Sequence, residues 1–154
     1  MNLDEFRFKW NGNPVDFDKT LGYQCMDLVN QYVSEVYGLS GFGCNAVDLI
    51  KNPKPESFDY FANTLAYVPL KGSIAVWNGS VGNGFGHTSI VLSGALTNFT
   101  SFDQNWNGVR APQVVSHNYR NVAGFLVYKL SPTESKYNML VEDLISLVRK
   151  YPKT

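Results

Sequence analysis

The sequence predicts an α+β domain in which helices near the N-terminus pack on an antiparallel β-sheet. Its 154 residues are enough for one domain with a substantial core. Before Pro69 apolar residues recur at helical spacing, whereas from Gly72 to Leu130 they fall in short β-rich runs separated by turn residues. Helices followed by closely spaced strands are typical of an α+β fold with an antiparallel sheet.

Three helices are predicted ahead of the strands. Leu3–Trp10 forms a short helix that ends at an Asn-Gly-Asn-Pro sequence. The strongest helical pattern is Cys25–Tyr37, and Gly38 follows it in the position of a left-handed C-terminal cap. Asn45 is suited to cap the N-terminus of a shorter helix over residues 46–51.

The predicted strands cover residues 72–77, 87–92, 99–102, 113–115 and 124–130. Together with the helices they define one domain over residues 1–130. Residues 131–154 are predicted as a linker followed by an amphipathic helix over 137–151. This helix either docks on the same domain, packs on a partner chain or begins a further module. Its apolar positions are Leu140, Leu144, Ile145 and Val148.

Composition and charge argue against several classes of function. Thirteen Lys and Arg balance thirteen Asp and Glu, and a net charge of zero disfavours binding to nucleic-acid phosphates. No apolar run is long enough to span a membrane. The N-terminus is acidic where a secretory signal is basic, so Cys25 and Cys44 are expected to be free thiols in a reducing compartment.

A cysteine, a histidine and a polar third residue occur in an order that suits nucleophilic catalysis. Cys25 lies in the first turn of the strongest helix, where the helix dipole favours a thiolate. His87 begins a strand directly after a Gly-rich loop. Asp103 or Asn105, at the end of the next strand, can hold the far nitrogen of its ring. This is the layout of the papain-like thiol hydrolases, although each residue taken alone also fits a structural role.

A second group of oxygen-bearing residues precedes the helix. Asp16, Asp18, Thr20, Gly22 and Asp27 occupy positions 1, 3, 5, 7 and 12 of a twelve-residue window, which are ligand positions of an EF-hand calcium loop. Position 6 is not Gly and position 12 is not Glu, so a true EF-hand is not expected. The segment is either a Ca²⁺ site or an acidic solvated loop that caps the helix.

Ordinary structural roles are expected for the remaining candidates. Cys44 is interpreted as a small residue at the start of a short helix, and His117 as a surface residue at a strand end. A zinc site made of both cysteines and both histidines is disfavoured, because no two of them are closely spaced. Trp77, Trp106 and Tyr119 either line a substrate groove or belong to the core.

Four motifs, in order, resemble those of CHAP domains, the cysteine- and histidine-dependent amidohydrolases and peptidases. They are Gly-Tyr-Gln-Cys-Met-Asp-Leu at 22–28, Pro-Leu-Lys-Gly-Ser-Ile-Ala-Val-Trp at 69–77, Gly-His-Thr-Ser-Ile-Val at 86–91 and Asp-Gln-Asn-Trp-Asn-Gly at 103–108. The resemblance implies a papain-like fold of the NlpC/P60 type, with Cys25 as nucleophile, His87 as general base and acid, and Asp103 as the residue that orients the ring. Many relatives have Glu in place of Asp103, which leaves Asn105 as the alternative orienting residue. Asn105 or Gln24 would otherwise polarise the oxyanion beside the Cys25 N–H.

This resemblance implies hydrolysis of an amide bond in peptidoglycan, either at the muramoyl–L-alanine bond or within the stem or cross-bridge. It further implies a bacteriophage endolysin that waits in the host cytoplasm for a holin and then lyses a Gram-positive wall, with or without a separate wall-binding module. Some CHAP domains from phage lysins resemble this sequence in the acidic loop and bind one Ca²⁺ there, which implies that Thr20 and Gly22 would contribute backbone carbonyls in this chain. The alternatives are an NlpC/P60 endopeptidase, which usually has a second His in third position, and a catalytically silent wall-binding or tail module.

Overall fold

The computed structural model describes residues 1–51, 54–130, 140–141, 144–147 and 150. Two α-helices, α1 (Leu3–Trp10) and α2 (Cys25–Tyr37), come first and are followed by a 3-10 helix at Ala46–Ile50. A second 3-10 turn, Gly82–Gly84, lies between the second and third strands. The six strands are β1 (Phe58–Ala62), β2 (Ile74–Trp77), β3 (His87–Gly94), β4 (Phe99–Asp103), β5 (Gln113–His117) and β6 (Val122–Tyr128).

The strands form one antiparallel sheet in the order β1-β6-β2-β3-β4-β5. The central strand β2 is buried along its whole length. Ile74 and Val76 belong to the core cluster that includes the helices, whereas Ala75 and Trp77 belong to a second cluster. Because successive strand residues point to opposite faces, the sheet has apolar packing on both sides. The sheet is therefore a rigid support for the residues at the ends of its strands.

Local capping explains why both α-helices have the predicted bounds. At the start of α1 the Asn2 side chain accepts from the Glu5 N–H and the Glu5 side chain accepts from the Asn2 N–H, which is a capping box. At the end of α2, Gly38 has a φ of 70° and its N–H bonds to the Ser34 carbonyl. These signals lie within a few residues of each helix end, so the sequence alone is sufficient to place them.

The structure differs from the predicted elements in two places. Strand β1 was not predicted, and the third helix is a 3-10 helix that ends at Ile50, not an α-helix over 46–51. Asn45 precedes that helix with extended backbone and makes no capping bond to its N–H groups through its side chain. The 3-10 helix is instead tied to the Gly-rich loop by a hydrogen bond from the Val47 N–H to the Phe85 carbonyl.

The predicted linker and helix over residues 131–154 stay a prediction, because most of these residues are not described by the structure. The proposed linker at 131–136 lies outside the described residues, as do several positions of the proposed helix. Those that are described between 140 and 150 are helical, and Leu140 and Leu144 are exposed there. None of the helices in the described part of the chain is long and apolar enough to cross a membrane.

Candidate active site

Cys25 is the first residue of α2 and lies in a groove of about 990 Å³. The helix start is fixed by Asp27, whose Oδ2 accepts from the Gln24 N–H at 2.7 Å and whose Oδ1 accepts from the Phe17 N–H at 3.1 Å. Both free cysteines, Cys25 and Cys44, line this groove. Cys25 is therefore held at the positive end of a helix dipole and is accessible from the groove.

His87 begins β3 beside that groove. The preceding Gly86 has a φ of 76°, and a Cβ there would lie 2.6 Å from the Trp77 carbonyl oxygen, so only glycine suits this tight turn. The His87 ring is 5% exposed, and its Nε2 lies 2.9 Å from Asp103 Oδ2. Burial lowers the pKa of His87. The hydrogen bond to Asp103 and the interaction with Cys25 raise it by more than burial lowers it, to about 9.

Asp103 ends β4 and is fully buried. Its Oδ1 accepts from the Ser101 hydroxyl at 2.5 Å, and its Oδ2 is shared between His87 and a second imidazole, His117 Nε2, at 3.0 Å. Burial raises the pKa of Asp103, but the hydrogen bonds from the two histidines outweigh burial and lower it. Of the two predicted orienting residues, Asp103 is thus the one whose side chain hydrogen-bonds to the His87 ring.

The prediction that His117 is a surface residue was wrong. It is 6% exposed, and its ring centroid lies 4.9 Å from that of Trp77 and 4.6 Å from that of Trp106. The burial pattern of β5 alternates, with exposed Val114 and Ser116 and a buried His117. Because successive strand residues point to opposite faces, His117 lies on the inner face of β5, opposite to Val114 and Ser116.

The side chains of Asn105 and Gln24 both line the groove and contact each other. The Asn105 amide donates to Gln24 Oε1 at 3.4 Å, and Gln24 Nε2 donates to the Leu21 carbonyl at 2.9 Å. Asn105 has a φ of 60°, in the left-handed region that Asn tolerates better than most residues. Both amides therefore lie close to the start of α2, beside the candidate nucleophile.

Gln104 was missed as a site residue, although it lies inside one of the predicted motifs. It is fully buried. Its Oε1 accepts from the Val15 N–H at 2.8 Å, and its Nε2 donates to the carbonyls of Val15 and Gln24 at 2.7 Å each. This side chain joins the end of β4 to the segment that leads into Cys25. Only the tertiary fold brings these groups together.

The groove wall carries more amide side chains than charges. Its charged lining residues in the described part of the chain are Asp18 and Asp27, apart from any charge on the cysteines and His87. The amide side chains that line it are those of Gln24, Asn45, Asn83, Asn105 and Asn107. Of the aromatic candidates, Trp106 lines the groove together with Phe85, whereas Trp77 is 1% exposed in the core and Tyr119 packs beside the second core cluster.

The acidic loop brings three carboxylates together. Ligand atoms of Asp16, Asp18 and Asp27 all lie within 4.8 Å of one another. Burial raises the pKa of Asp27, although backbone N–H groups at Gln24 and Phe17 oppose that rise. Asp16 Oδ1 is buried and has no hydrogen-bond partner. Three clustered carboxylates with an unpaired buried oxygen fit a hard cation such as Ca²⁺.

The other two residues of the predicted calcium set lie in the same loop. Thr20 donates its N–H to Asp18 Oδ1 at 2.8 Å, and its hydroxyl lies 3.3 Å from the Asp18 carbonyl oxygen. Gly22 has a φ of 70°, which turns the chain toward α2. The cluster of acidic, His or Cys ligands found among the described residues is this carboxylate group.

Comparisons with known proteins agree on one family. The sequence profile of the CHAP domain matches residues 15–105. Endolysin PlyTW of Staphylococcus phage Twort is 32% identical over 122 residues, which cover 73% of this chain and 26% of that protein. Endolysin LysK of Staphylococcus phage K is 34% identical over 117 residues, which cover 73% of this chain and 23% of LysK. The crystal structure of wild-type endolysin LysIME-EF1 matches with a TM-score of 0.71 at 29% identity, over 84% of this chain and 63% of that one.

This chain spans about a quarter of the length of the curated relatives it matches. The matched region contains Cys25, His87 and Asp103, and the structural similarity extends over most of the described elements. The predicted papain-like α+β architecture, helices on an antiparallel sheet, is confirmed. The chain belongs to the CHAP domain family.

Proposed function

We propose that this chain hydrolyses an amide bond of bacterial peptidoglycan with Cys25 as nucleophile. The observation that carries the proposal is the arrangement of three groups: the Cys25 thiol at a helix N-terminus and the buried His87 imidazole line one groove, and the buried Asp103 carboxylate lies 2.9 Å behind the imidazole. A thiol hydrolase needs this set, because the imidazole takes the thiol proton and the third group fixes the ring. The endolysin names of two relatives support peptidoglycan as substrate class.

The tautomer of His87 follows from its partner. An ionised carboxylate only accepts hydrogen bonds, so the Nε2 that faces Asp103 carries a proton. Nδ1 is then the nitrogen that takes the proton of the Cys25 thiol. The pKa of His87, raised to about 9, supports an imidazolium that persists at neutral pH until the leaving group needs its proton.

The proposed reaction has two halves. The Cys25 sulfur bonds to the carbonyl carbon, and the carbonyl electron pair moves to its oxygen. When that oxyanion collapses, the C–N bond breaks and the His87 proton passes to the departing nitrogen. Water then attacks the thioester carbon while His87 takes one of its protons. The second tetrahedral oxyanion collapses with cleavage of the C–S bond, which releases the carboxylic acid, and His87 returns the proton to the Cys25 sulfur.

The oxyanion requires donors near Cys25. We assign this role to the backbone N–H of Cys25 at the free end of α2 and to the Gln24 amide, with Asn105 supporting Gln24 through its 3.4 Å contact. The amide-rich groove suits a polymer of sugars and short peptides, whose many N–H and C=O groups pair with Asn and Gln side chains.

We also propose a Ca²⁺ site formed by Asp16, Asp18 and Asp27, with backbone carbonyls of Thr20 and Gly22. When bound, the ion supplies positive charge that relieves repulsion among the carboxylates. Asp27 also caps the start of α2, so an ordered loop keeps Cys25 in place. Titration calorimetry with CaCl₂ should show binding that Asp16→Asn weakens at least about tenfold, while Asp59→Asn, an exposed carboxylate elsewhere, leaves it unchanged. Equal affinity in both variants rejects the site.

For the whole protein, we propose lysis of a Gram-positive host after release from its cytoplasm, which agrees with the endolysin names of the relatives. Any further wall-binding segment or partner belongs to the same proposal, since the match covers only about a quarter of each of those relatives.

The test is mass spectrometry of purified Gram-positive peptidoglycan after digestion by the 154-residue chain, with staphylococcal walls among the substrates. Cys25→Ala, checked for folding by circular dichroism, is the matched control. New L-alanine N-termini identify an amidase, and cuts within the stem or bridge identify an endopeptidase. If no wall yields Cys25-dependent products even with added CaCl₂, the hydrolase proposal fails and the silent binding module takes its place.

A further inference from the structure

We propose that His117 is a positioning residue of this site: its Nε2–H holds the Asp103 carboxylate in the orientation that serves His87. The inference rests on the proposed function, because it concerns the same thiol and imidazole. His117 lies outside residues 15–105, which the family profile matches.

The first argument is the geometry around one oxygen. Asp103 Oδ2 lies 2.9 Å from His87 Nε2 and 3.0 Å from His117 Nε2, and Oδ1 lies 2.5 Å from the Ser101 hydroxyl. The carboxylate is fully buried and the pKa of Asp103 is lowered, so it is ionised and acts only as an acceptor. Both ring nitrogens that face it must carry protons. His117 thus presents a fixed N–H donor to the same oxygen that His87 uses.

The second argument is that the His117 ring cannot easily turn away. Its centroid lies 4.9 Å from Trp77, 4.6 Å from Trp106 and 5.3 Å from Phe99. Trp106 also lies 4.8 Å from the His87 ring, so one indole packs against both imidazoles. Aromatic packing of this kind restricts ring orientation. The donor is therefore preorganised, which is what a positioning group requires.

The third argument concerns what remains without it. Asp103 would keep the Ser101 hydroxyl on Oδ1 and the His87 N–H on Oδ2. His87 changes charge during the proposed reaction, whereas the His117 bond does not depend on that change. With His117 removed, Asp103 Oδ2 loses its constant donor, and the donor that remains on this oxygen is His87, whose charge changes. We expect the carboxylate to be less well aligned with His87 and the Cys25–His87 pair to be weaker.

A purely structural role for His117 makes a different prediction. If the ring only fills space in the second core cluster, then phenylalanine should replace it well and glutamine poorly. If its N–H is the essential feature, glutamine should replace it and phenylalanine should not, because the Gln side-chain nitrogen reaches about as far as His Nε2. The pair His117→Gln and His117→Phe therefore separates the two roles.

The first readout needs no peptidoglycan. In a Cys44→Ser background, so that only one cysteine reacts, the rate of Cys25 alkylation by iodoacetamide at pH 7 is measured on the folded fraction. We expect His117→Phe to slow alkylation about tenfold and His117→Gln to stay within about threefold of the parent. With peptidoglycan as substrate, the same ranking should appear in kcat, with KM little changed. Wild-type rates for His117→Phe, or equal losses in both variants, overturn the proposal.

The second readout uses the wild-type protein, so it holds even if His117→Phe does not fold. Nitrogen-15 NMR of labelled histidines reports which ring nitrogen carries the proton. We expect a protonated Nε2 at His117 and at His87. If His117 is protonated only on Nδ1, it cannot donate to Asp103 and the positioning role is refuted. Because alkylation and NMR both work without wall substrate, a failure of peptidoglycan hydrolysis leaves them readable and refutes only the proposed function.

Discussion

Replacing Gln104 with methionine should destabilise the fold far more than a surface change of the same type. The substitution keeps the side-chain length and removes three hydrogen bonds, one from the Val15 N–H and two to the carbonyls of Val15 and Gln24. At about 1 kcal/mol per bond, the expected loss is about 3 kcal/mol. The estimate is a lower bound for the Val15 groups, since this residue is 3% exposed and its N–H and C=O have little access to water.

Urea unfolding followed by tryptophan fluorescence measures this loss directly. For a domain of this size, about 3 kcal/mol corresponds to a melting temperature about 6 to 12 °C lower. The matched control is Gln31→Met on α2, where a single bond to Glu35 is lost at a partly exposed position, and a change within about 0.5 kcal/mol is expected. If Gln104→Met and Gln31→Met lose the same stability, the buried Gln104 bonds do not hold the N-terminal segment and the reasoning is refuted.

Three further outcomes are expected. Gly86→Ala should lose more than about 2 kcal/mol in urea unfolding, because its φ is 76° and the new Cβ would lie 2.6 Å from the Trp77 carbonyl; a smaller loss means that this turn adapts. Gly38→Ala, at a φ of 70° with open space around it, should lose only about 1 kcal/mol in the same assay, and a loss as large as at Gly86 would contradict this. The pKa of His87 is raised to about 9, so kcat/KM should fall as the pH rises through about 9, because His87 then no longer carries the proton that the leaving group needs. Asp103→Asn should shift that fall to lower pH. An unshifted pH profile argues against the hydrogen bond between His87 and Asp103 as the cause of the raised pKa.

Elements with local signals could be predicted from the sequence, and elements defined by distant partners could not. Helix α2 has an apolar stripe and a glycine cap, both visible in the chain. Strand β1 has only Phe58 buried, with Asp59, Phe61 and Ala62 exposed, so its pattern lacks a clear inner face. It exists because it pairs with β6, more than 60 residues along the chain. Pairing at that separation leaves little trace in a single sequence.

The candidate site divides in the same way. Cys25 and His87, with Asp103 or Asn105 as the third residue, follow from residue types that chemistry requires and from their order along the chain, and the resemblance to the CHAP motifs favours Asp103. His117 and Gln104 do not, because a histidine at a strand end and a glutamine after a strand are usually exposed. Their burial depends on aromatic rings and backbone groups contributed by other elements. The network around a nucleophile is thus harder to predict than the nucleophile itself.

The end of β4 explains how two distant elements keep one geometry. Cys25 is on α2 and His87 is on β3, and the residues at 103–105 reach both: Asp103 bonds to the His87 ring, Gln104 bonds to the Gln24 carbonyl, and the Asn105 amide bonds to the Gln24 side chain. Successive residues at a strand end point in different directions, so a three-residue segment can contact the imidazole and the helix start at once. The separation of thiol and imidazole is therefore set through a third element. A change at Gln104 should then alter the reactivity of Cys25, although the hydrogen bonds of its side chain go to Val15 and Gln24, since it moves the helix start relative to the histidine that β4 holds.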